Sequence, residues 1–280
     1  MEIKKKTESL RDYFSKQPYV SMAFIFGSYV KKRETSESDF DVAIYFKPKG
    51  KMLEWEETED RADEDKIWSD IERIVGIKVD LVVLNRAPST LALSVIQEGM
   101  PIIIKDPSLY LRFFLAISSA AEYFTDFTKD FWAIKQRSLS LTEIDKQRLI
   151  RIIDFLETEL ADYPKFIDLD QKTYESDTII RRNIERWAEN IVNSSIDIAK
   201  IILASEKKKI PQTYREVMQE LSLLKDFKNE DAEKLAQSAK LRNILAHEYI
   251  DVRFRQIKKF TKESLPAYRA LLYFAKKFII

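Results

Sequence analysis

Residues 27–41 read GSYVKKRETSESDFD: a glycine-serine pair, ten intervening residues, then two aspartates one residue apart. Upstream, Val20–Phe26 (VSMAFIF) is short, apolar and aromatic-rich, and predicts a buried strand entering a tight turn at Gly27. Gly27 lets a backbone approach a ligand closely, and a helical turn from Ser28 would aim amide donors at an anion. Downstream, Asp39-Phe40-Asp41 runs into Val42–Phe46. Residues two apart on a strand share a face. Asp39 and Asp41 should therefore project together, while Phe40, Val42, Ile44 and Phe46 cover the other side. Two adjacent carboxylates repel unless a cation joins them.

Singly, each piece is ordinary, since a Gly-Ser is usually a turn and an Asp-x-Asp is usually surface. Their order and spacing point to a site, and a third element extends it. Lys78–Asn85 (KVDLVVLN) predicts an apolar strand interrupted by Asp80. An unpaired buried carboxylate is costly, so Asp80 is expected to share a divalent ion with Asp39 and Asp41, or else to face solvent.

These residues resemble the minimal nucleotidyltransferases of the DNA polymerase beta-like superfamily, whose pattern is Gly-Ser, ten residues, Asp-x-Asp and a third Asp on a later strand. Gly27, Ser28, Asp39, Asp41 and Asp80 occupy all five positions. Relatives often carry Arg then Gly shortly after the pair, where this chain has Lys31 and Lys32. The resemblance implies that Gly27 and Ser28 cradle the phosphates of ATP, and that Asp39, Asp41 and Asp80 hold Mg²⁺.

A length of 280 residues with 45% hydrophobic and 12% aromatic content supports a substantial core and suggests about two domains. The absence of cysteine excludes disulfides, thiolate zinc sites and cysteine nucleophiles. The N-terminus lacks a signal core and no apolar run is long enough to span a bilayer, so a cytoplasmic protein without a membrane partner is expected. A net charge of +1 gives no global field that would advertise nucleic acid, and DNA is not an expected partner.

Residues 1–17 predict an amphipathic helix with Leu10, Tyr13 and Phe14 at helical spacing. Ile67, Trp68, Ile71, Ile74 and Val75 predict a helix ended by Gly76; Pro88–Glu98 predicts another closed by Gly99, before a short strand at Pro101–Lys105. From Asp106 the strand signal disappears and one long helix is expected, with Glu122, Tyr123 and Asp126 where toxin-neutralising minimal nucleotidyltransferases tend to carry Tyr and Asp. The caps of Ser138–Thr142 place the boundary there, giving domains 1–140 and 141–280. The second domain predicts helices at about 143–163, 176–205, 212–224, 230–247 and 252–278, the last kinked at Pro266. Ile184, Trp187, Ile191, Ile198 and Ile202 give the second of these an apolar face long enough for a bundle core and a dimer seam. The expected fold class is an α+β first domain, a small mixed sheet with flanking helices as the nucleotidyltransferase resemblance implies, followed by an all-α helical bundle.

The single histidine, His247, lies in LRNILAHEYI (241–250). Alone it would usually be a helix-end residue. Asn243 and His247 are four apart on one face, and Arg242 and Tyr249 are seven apart. An imidazole that takes a 2′-hydroxyl proton beside a guanidinium that holds phosphate suits metal-independent RNA cleavage. One His per chain supplies a base or an acid, so a homodimer through this domain is expected to supply both.

Arg242, four residues, His247, one residue, Tyr249 in a helical domain resembles the HEPN ribonuclease toxins, closest to the HepT-like subfamily encoded beside minimal nucleotidyltransferase antitoxins. That resemblance implies an RNA partner, tRNA included, with Arg242 and His247 catalytic and Asn243 supporting. It also implies that the nucleotidyltransferase transfers AMP from ATP to Tyr249 and silences the RNase. The rival reading is a small-molecule, aminoglycoside-like nucleotidyltransferase whose helices bind substrate.

Overall fold

A computed structural model describes residues 3–31, 39–50, 52–137, 140–247 and 250–279, without the side chains of Ile3 and of residues 246–252. The chain forms two compact units, residues 1–123 and 124–280. The first is α+β and the second is helical.

In the first unit α1 (Ile3–Ser15) precedes strands β1 (Val20–Ile25) and β2 (Phe40–Phe46). Then come α2 (Glu64–Val75), β3 (Val79–Val83), α3 (Ser89–Glu98), β4 (Met100–Ile104) and α4 (Pro107–Arg137). The strands lie in the order β3-β2-β1-β4, with β1 antiparallel to both neighbours and β2 parallel to β3. Alternation along β2 decides which layer each residue enters. Phe40, Val42, Ile44 and Phe46 pack with Leu10 and Phe14 of α1 and Ile67 and Ile71 of α2. Ala43 and Tyr45 face the other way, onto Ala92 and Val95 of α3 and Phe113 and Ile117 of α4. Gly76 ends α2 with φ of 70°, the left-handed cap that its position predicts.

A polar staple holds the long connection after β2. Asn85 Oδ1 accepts from the Phe46 N–H at 2.8 Å, while Asn85 Nδ2 donates to the Phe46 carbonyl and to Glu54. Glu54 also pairs with Arg61, and its N–H donates to Tyr45 Oη at 3.0 Å. Every polar atom named finds a partner, as a buried network requires.

The helical unit begins inside α4, because Phe124, Phe127, Phe131 and Ile134 belong to its core. The two units thus divide within a helix, upstream of the 140/141 break that the capping residues suggested. There follow α5 (Glu143–Ala161), the short α6 (Tyr163–Phe166) and α7 (Gln171–Ser176), α8 (Thr178–Ser205) and α9 (Tyr214–Glu220). The chain ends with α10 (Asn229–Ala239), α11 (Leu241–His247), α12 (Ile250–Glu263) and α13 (Leu265–Lys276).

From Ile191 to Ser205, α8 is buried all round except at Asn193 and Asp197. Ile184, Trp187, Ile191, Ile198 and Ile202 are all buried in the bundle core. Two helices differ from the sequence expectation. The segment 230–247 breaks at Lys240, where no helix-breaking residue stands. At the other site the chain stops at Ser264, whose Oγ donates to the Phe260 carbonyl at 2.6 Å, and Pro266 enters the first turn of a new helix rather than kinking an old one.

Candidate functional site

Gly27 takes a φ of 71°, and a Cβ built on it would overlap the Asp41 carboxylate. The conformation and the space both demand glycine. The Phe26 N–H donates to the Asp41 carbonyl at 3.1 Å, which ties the end of β1 to the start of β2. Beyond Gly27 the Lys31 N–H returns to the Gly27 carbonyl at 3.3 Å, closing one helical turn that starts at Ser28. Lys31 then pairs with Glu98 of α3 at 2.6 Å, anchoring the turn.

Asp41 and Asp80 are register partners across the parallel β2–β3 pair. Parallel partners present side chains on the same face, and Asp39 shares it by alternation. Burial raises the Asp41 pKa above its ordinary value, the Asp80 charge raises it further, a hydrogen bond from the Ser28 backbone opposes both, and Asp39 adds to the rise. Asp39 is half-exposed and pairs with Lys78 at 3.2 Å. Asp80 itself is exposed, because β3 is an edge strand. Its charge therefore needs no partner on grounds of burial; its significance is that it crowds Asp41.

Among the described residues no three carboxylates or imidazoles are drawn into a closed metal-ligand set. The donor chemistry nonetheless fits a divalent cation: two carboxylates are close enough to raise a proton affinity, a third shares their face, and all ligands are oxygens. The amide turn of Gly27 and Ser28 stands against the same carboxylate.

In the helical unit Arg242 and Asn243 lie in the first turn of α11, and His247 is its last residue. The His247 side chain and all of Tyr249 lie outside the described residues, so their expected convergence with Arg242 is not part of this geometry. The Arg242 guanidinium sits over the Tyr214 ring, 4.8 Å from its centroid. Tyr214 is braced edge-on by Phe124 at 5.1 Å and Phe127 at 5.5 Å. Sequence reading missed Tyr214, since nothing local links it to a residue 28 positions away in the chain. Beside α11 a cavity of about 390 Å³ opens against Leu241, Ile244 and Phe260, with Lys234, Lys240 and Lys259 among its lining residues.

Two family models match the chain. The first, described as Polymerase beta, Nucleotidyltransferase, covers residues 8–108 and so includes Gly27, Ser28, Asp39, Asp41 and Asp80. The second, Ribonuclease HepT-like, covers residues 156–273 and includes Arg242, Asn243, His247 and Tyr249. No curated protein matches. Among solved structures the chain is similar to a toxin-antitoxin with AMP-PNP, at 21% identity over 45% of this chain and 91% of that one, with a TM-score of 0.35. It is likewise similar to a mutant of the toxin-antitoxin MntA-HpeT, at 20% identity over 45% and 91%, with a TM-score of 0.34. No described helix is long and apolar enough to cross a membrane.

Proposed function

We propose, on the premise that this chain fuses a polymerase-beta-type nucleotidyltransferase domain to a HepT-like ribonuclease domain, that the first adenylylates the second and silences it. The observation that carries this reading is the Asp41–Asp80 register pair set against the Gly27–Ser28 turn. An amide cradle and crowded carboxylates on one face are what transfer of a nucleotidyl group from a triphosphate requires.

Asp39, Asp41 and Asp80 would hold Mg²⁺, which when bound neutralises polyphosphate charge and favours an alkoxide or phenoxide acceptor. Gly27 and Ser28 receive the β and γ phosphates of ATP through their amides. Asp80 accepts the phenolic proton of Tyr249. The Tyr249 oxygen bonds to the α-phosphorus, the α–β anhydride bond breaks, and pyrophosphate leaves. A tyrosine with an ordinary pKa of about 10 needs this assistance at neutral pH.

In the helical domain His247 takes the 2′-hydroxyl proton of RNA while Arg242 holds the phosphate as charge develops. Asn243 supports the site. Two copies of the chain, joined through the helical domain, would supply one imidazole as base and one as acid. An AMP on Tyr249 places a phosphodiester anion two residues from His247. It competes with RNA for the Arg242 guanidinium and repels the substrate backbone.

Incubation with Mg-ATP followed by intact-mass and peptide analysis should show adenylate on the peptide that contains Tyr249, lost in Tyr249→Phe, together with loss of RNA cleavage. Label found only on an added small molecule would instead establish the aminoglycoside-like reading.

A further inference from the structure

The helical unit carries an exposed indole among lysines. Trp132 of α4 is 49% exposed, and the Lys135 ammonium lies 5.5 Å from its ring centroid. Lys135 Nζ also donates to the Lys208 carbonyl at 2.7 Å, and Lys207 Nζ returns the tie by donating to the Lys135 carbonyl. The lysine run follows from the way α8 ends. The Lys208 N–H donates to the Leu203 carbonyl at 3.0 Å and the Lys207 N–H to the Ala204 carbonyl at 3.2 Å, with Lys207 at φ of 59° in the left-handed position that glycine usually fills. Among the described residues no carboxylate forms an ion pair with Lys135, Lys207, Lys208 or Lys209. The carboxylate that feels them is Glu220, whose pKa is raised by burial and by Glu216 while Lys209, Lys208 and Lys135 oppose the rise.

The two carbonyl ties give Lys135 and Lys207 a part in the fold. They do not account for an indole left half in solvent, or for Lys208 and Lys209, whose charges add to a crowd of like sign. Together these groups suit a polyanion with flat apolar faces, its phosphates meeting the ammoniums and its bases the ring. Single-stranded RNA offers both, whereas an acidic peptide lacks the stacking faces and a duplex hides them. The patch also lies within a strand's reach of Arg242. Tyr214, beneath the Arg242 guanidinium, packs on Phe127 at 5.5 Å, and Phe127 precedes Trp132 by five residues, about 7.5 Å along α4. Lys209 and Tyr214 are likewise five residues apart, at most about 18 Å of chain.

We propose that Trp132 with Lys135, Lys207, Lys208 and Lys209 forms a second RNA-contacting surface, on which a base of single-stranded RNA stacks while its flanking phosphates meet the lysines. This rests on the ribonuclease reading of the helical unit and adds to it the place where the strand lies beyond Arg242 and His247. The phosphate to be cleaved is held at Arg242, and the strand reaches the indole a few nucleotides away. Contact there is the same before and during cleavage, so it tightens the hold on longer RNA and lowers KM without raising kcat.

The full-length protein and its variants would be titrated with fluorescent 2′-O-methyl RNA, which lacks the nucleophilic hydroxyl and is not cut, in strands of about 4 and about 12 nucleotides. Trp132→Ala should weaken binding of the longer strand about tenfold, the loss of one stacked base, and leave the shorter within about twofold. Trp132→Phe keeps a stacking face and should bind the longer strand within about threefold of the parent. Lys208→Gln combined with Lys209→Gln should flatten the slope of log affinity against log salt by about 1.4, the share of two single-strand phosphates. On cleavable RNA of the longer length, Trp132→Ala should raise KM about tenfold with kcat within about twofold. Unchanged binding of the longer strand in Trp132→Ala overturns the proposal. An equal loss on both strands also overturns it, because the damage then lies in the fold or at the cleavage site. An unmodified protein that binds the two strands equally tightly overturns the proposal and leaves the ribonuclease reading intact. Failure to bind either strand overturns both readings together.

Discussion

Asp41 bears a proton more readily in the folded chain than in water, because burial and the neighbouring Asp80 and Asp39 charges disfavour its carboxylate. A raised folded pKa means that the folded state binds the proton more tightly, so this group adds stability at low pH and loses it as pH rises through the raised value. At neutral pH the ionised Asp41 is therefore a strain on the metal-free protein. Asp41→Asn should raise the Tm at pH 7 by about 1–3 °C while abolishing ATP-dependent transfer, as thermal unfolding and a labelled-AMP assay would show. For the same reason affinity for a divalent cation should fall as pH drops toward and below that pKa, with proton release on binding. In the helical unit the Arg242 guanidinium lies over the ring of Tyr214. Tyr214→Phe keeps the ring face and should leave RNA cleavage within about twofold, whereas Tyr214→Leu should lower kcat about tenfold, the worth of one partly buried cation–π contact. Equal activity in both variants would show that Arg242 is positioned by other contacts.

At the scale of elements, what could be read from sequence was what alternation and spacing encode. The two-residue period of Asp39-Phe40-Asp41 placed both carboxylates on one face and four apolar side chains on the other, and the sheet obeys it. Gly76 announced the end of α2 through its freedom to take positive φ. Boundaries set by packing carry no such local mark. The division inside α4 arises because Phe124, Phe127 and Phe131 join a core whose other members lie far along the chain. The exposure of Asp80 depends on β3 being an edge, which is a property of strand order rather than of the strand.

The join between α4 and α5 allows a test at this scale. Thr142 caps α5, its Oγ1 accepting from the Asp145 N–H at 3.2 Å and donating to the Asp145 carboxylate at 2.7 Å. Arg137, in the last turn of α4, donates to both oxygens of that buried carboxylate, from Nη2 at 2.6 Å and from Nε at 3.1 Å. Removing the guanidinium leaves the buried carboxylate with the Thr142 hydroxyl as the hydrogen-bond donor that remains among the described residues. Arg137→Met should therefore cost about 3 kcal/mol, and Thr142→Ala about 1 kcal/mol, both read by denaturant unfolding at pH 7. A smaller loss from Arg137→Met than from Thr142→Ala would show that solvent, not Arg137, neutralises Asp145.

For the molecule as a whole, near-neutrality conceals a large store of charge: 47 basic residues balance 46 acidic ones, giving a net charge of +1. Acidification removes the carboxylates and leaves the cations, so repulsion grows through the entire chain. Superimposed on that general effect is one specific group in the helical unit. Burial would raise the Asp130 pKa, but hydrogen bonds from Arg148 and Lys200 outweigh it and hold the value down at about 2. Arg148 contacts it at 2.8 Å, and Lys200, only 6% exposed, also at 2.8 Å, with Asp197 as its second partner and the Phe127 ring beneath. A folded pKa below the unfolded one means that the unfolded state binds the proton more tightly. The stability from Asp130 is thus present above about pH 4 and is lost as pH falls toward about 2. Stability measured by urea unfolding should decline across that window in the parent protein. Asp130→Asn should be less stable at pH 7, because Lys200 and Arg148 lose their shared carboxylate, and should decline less steeply below pH 4, with the two curves converging near pH 2. Parallel curves would mean that general charge repulsion, and not this triad, governs acid unfolding of the helical unit.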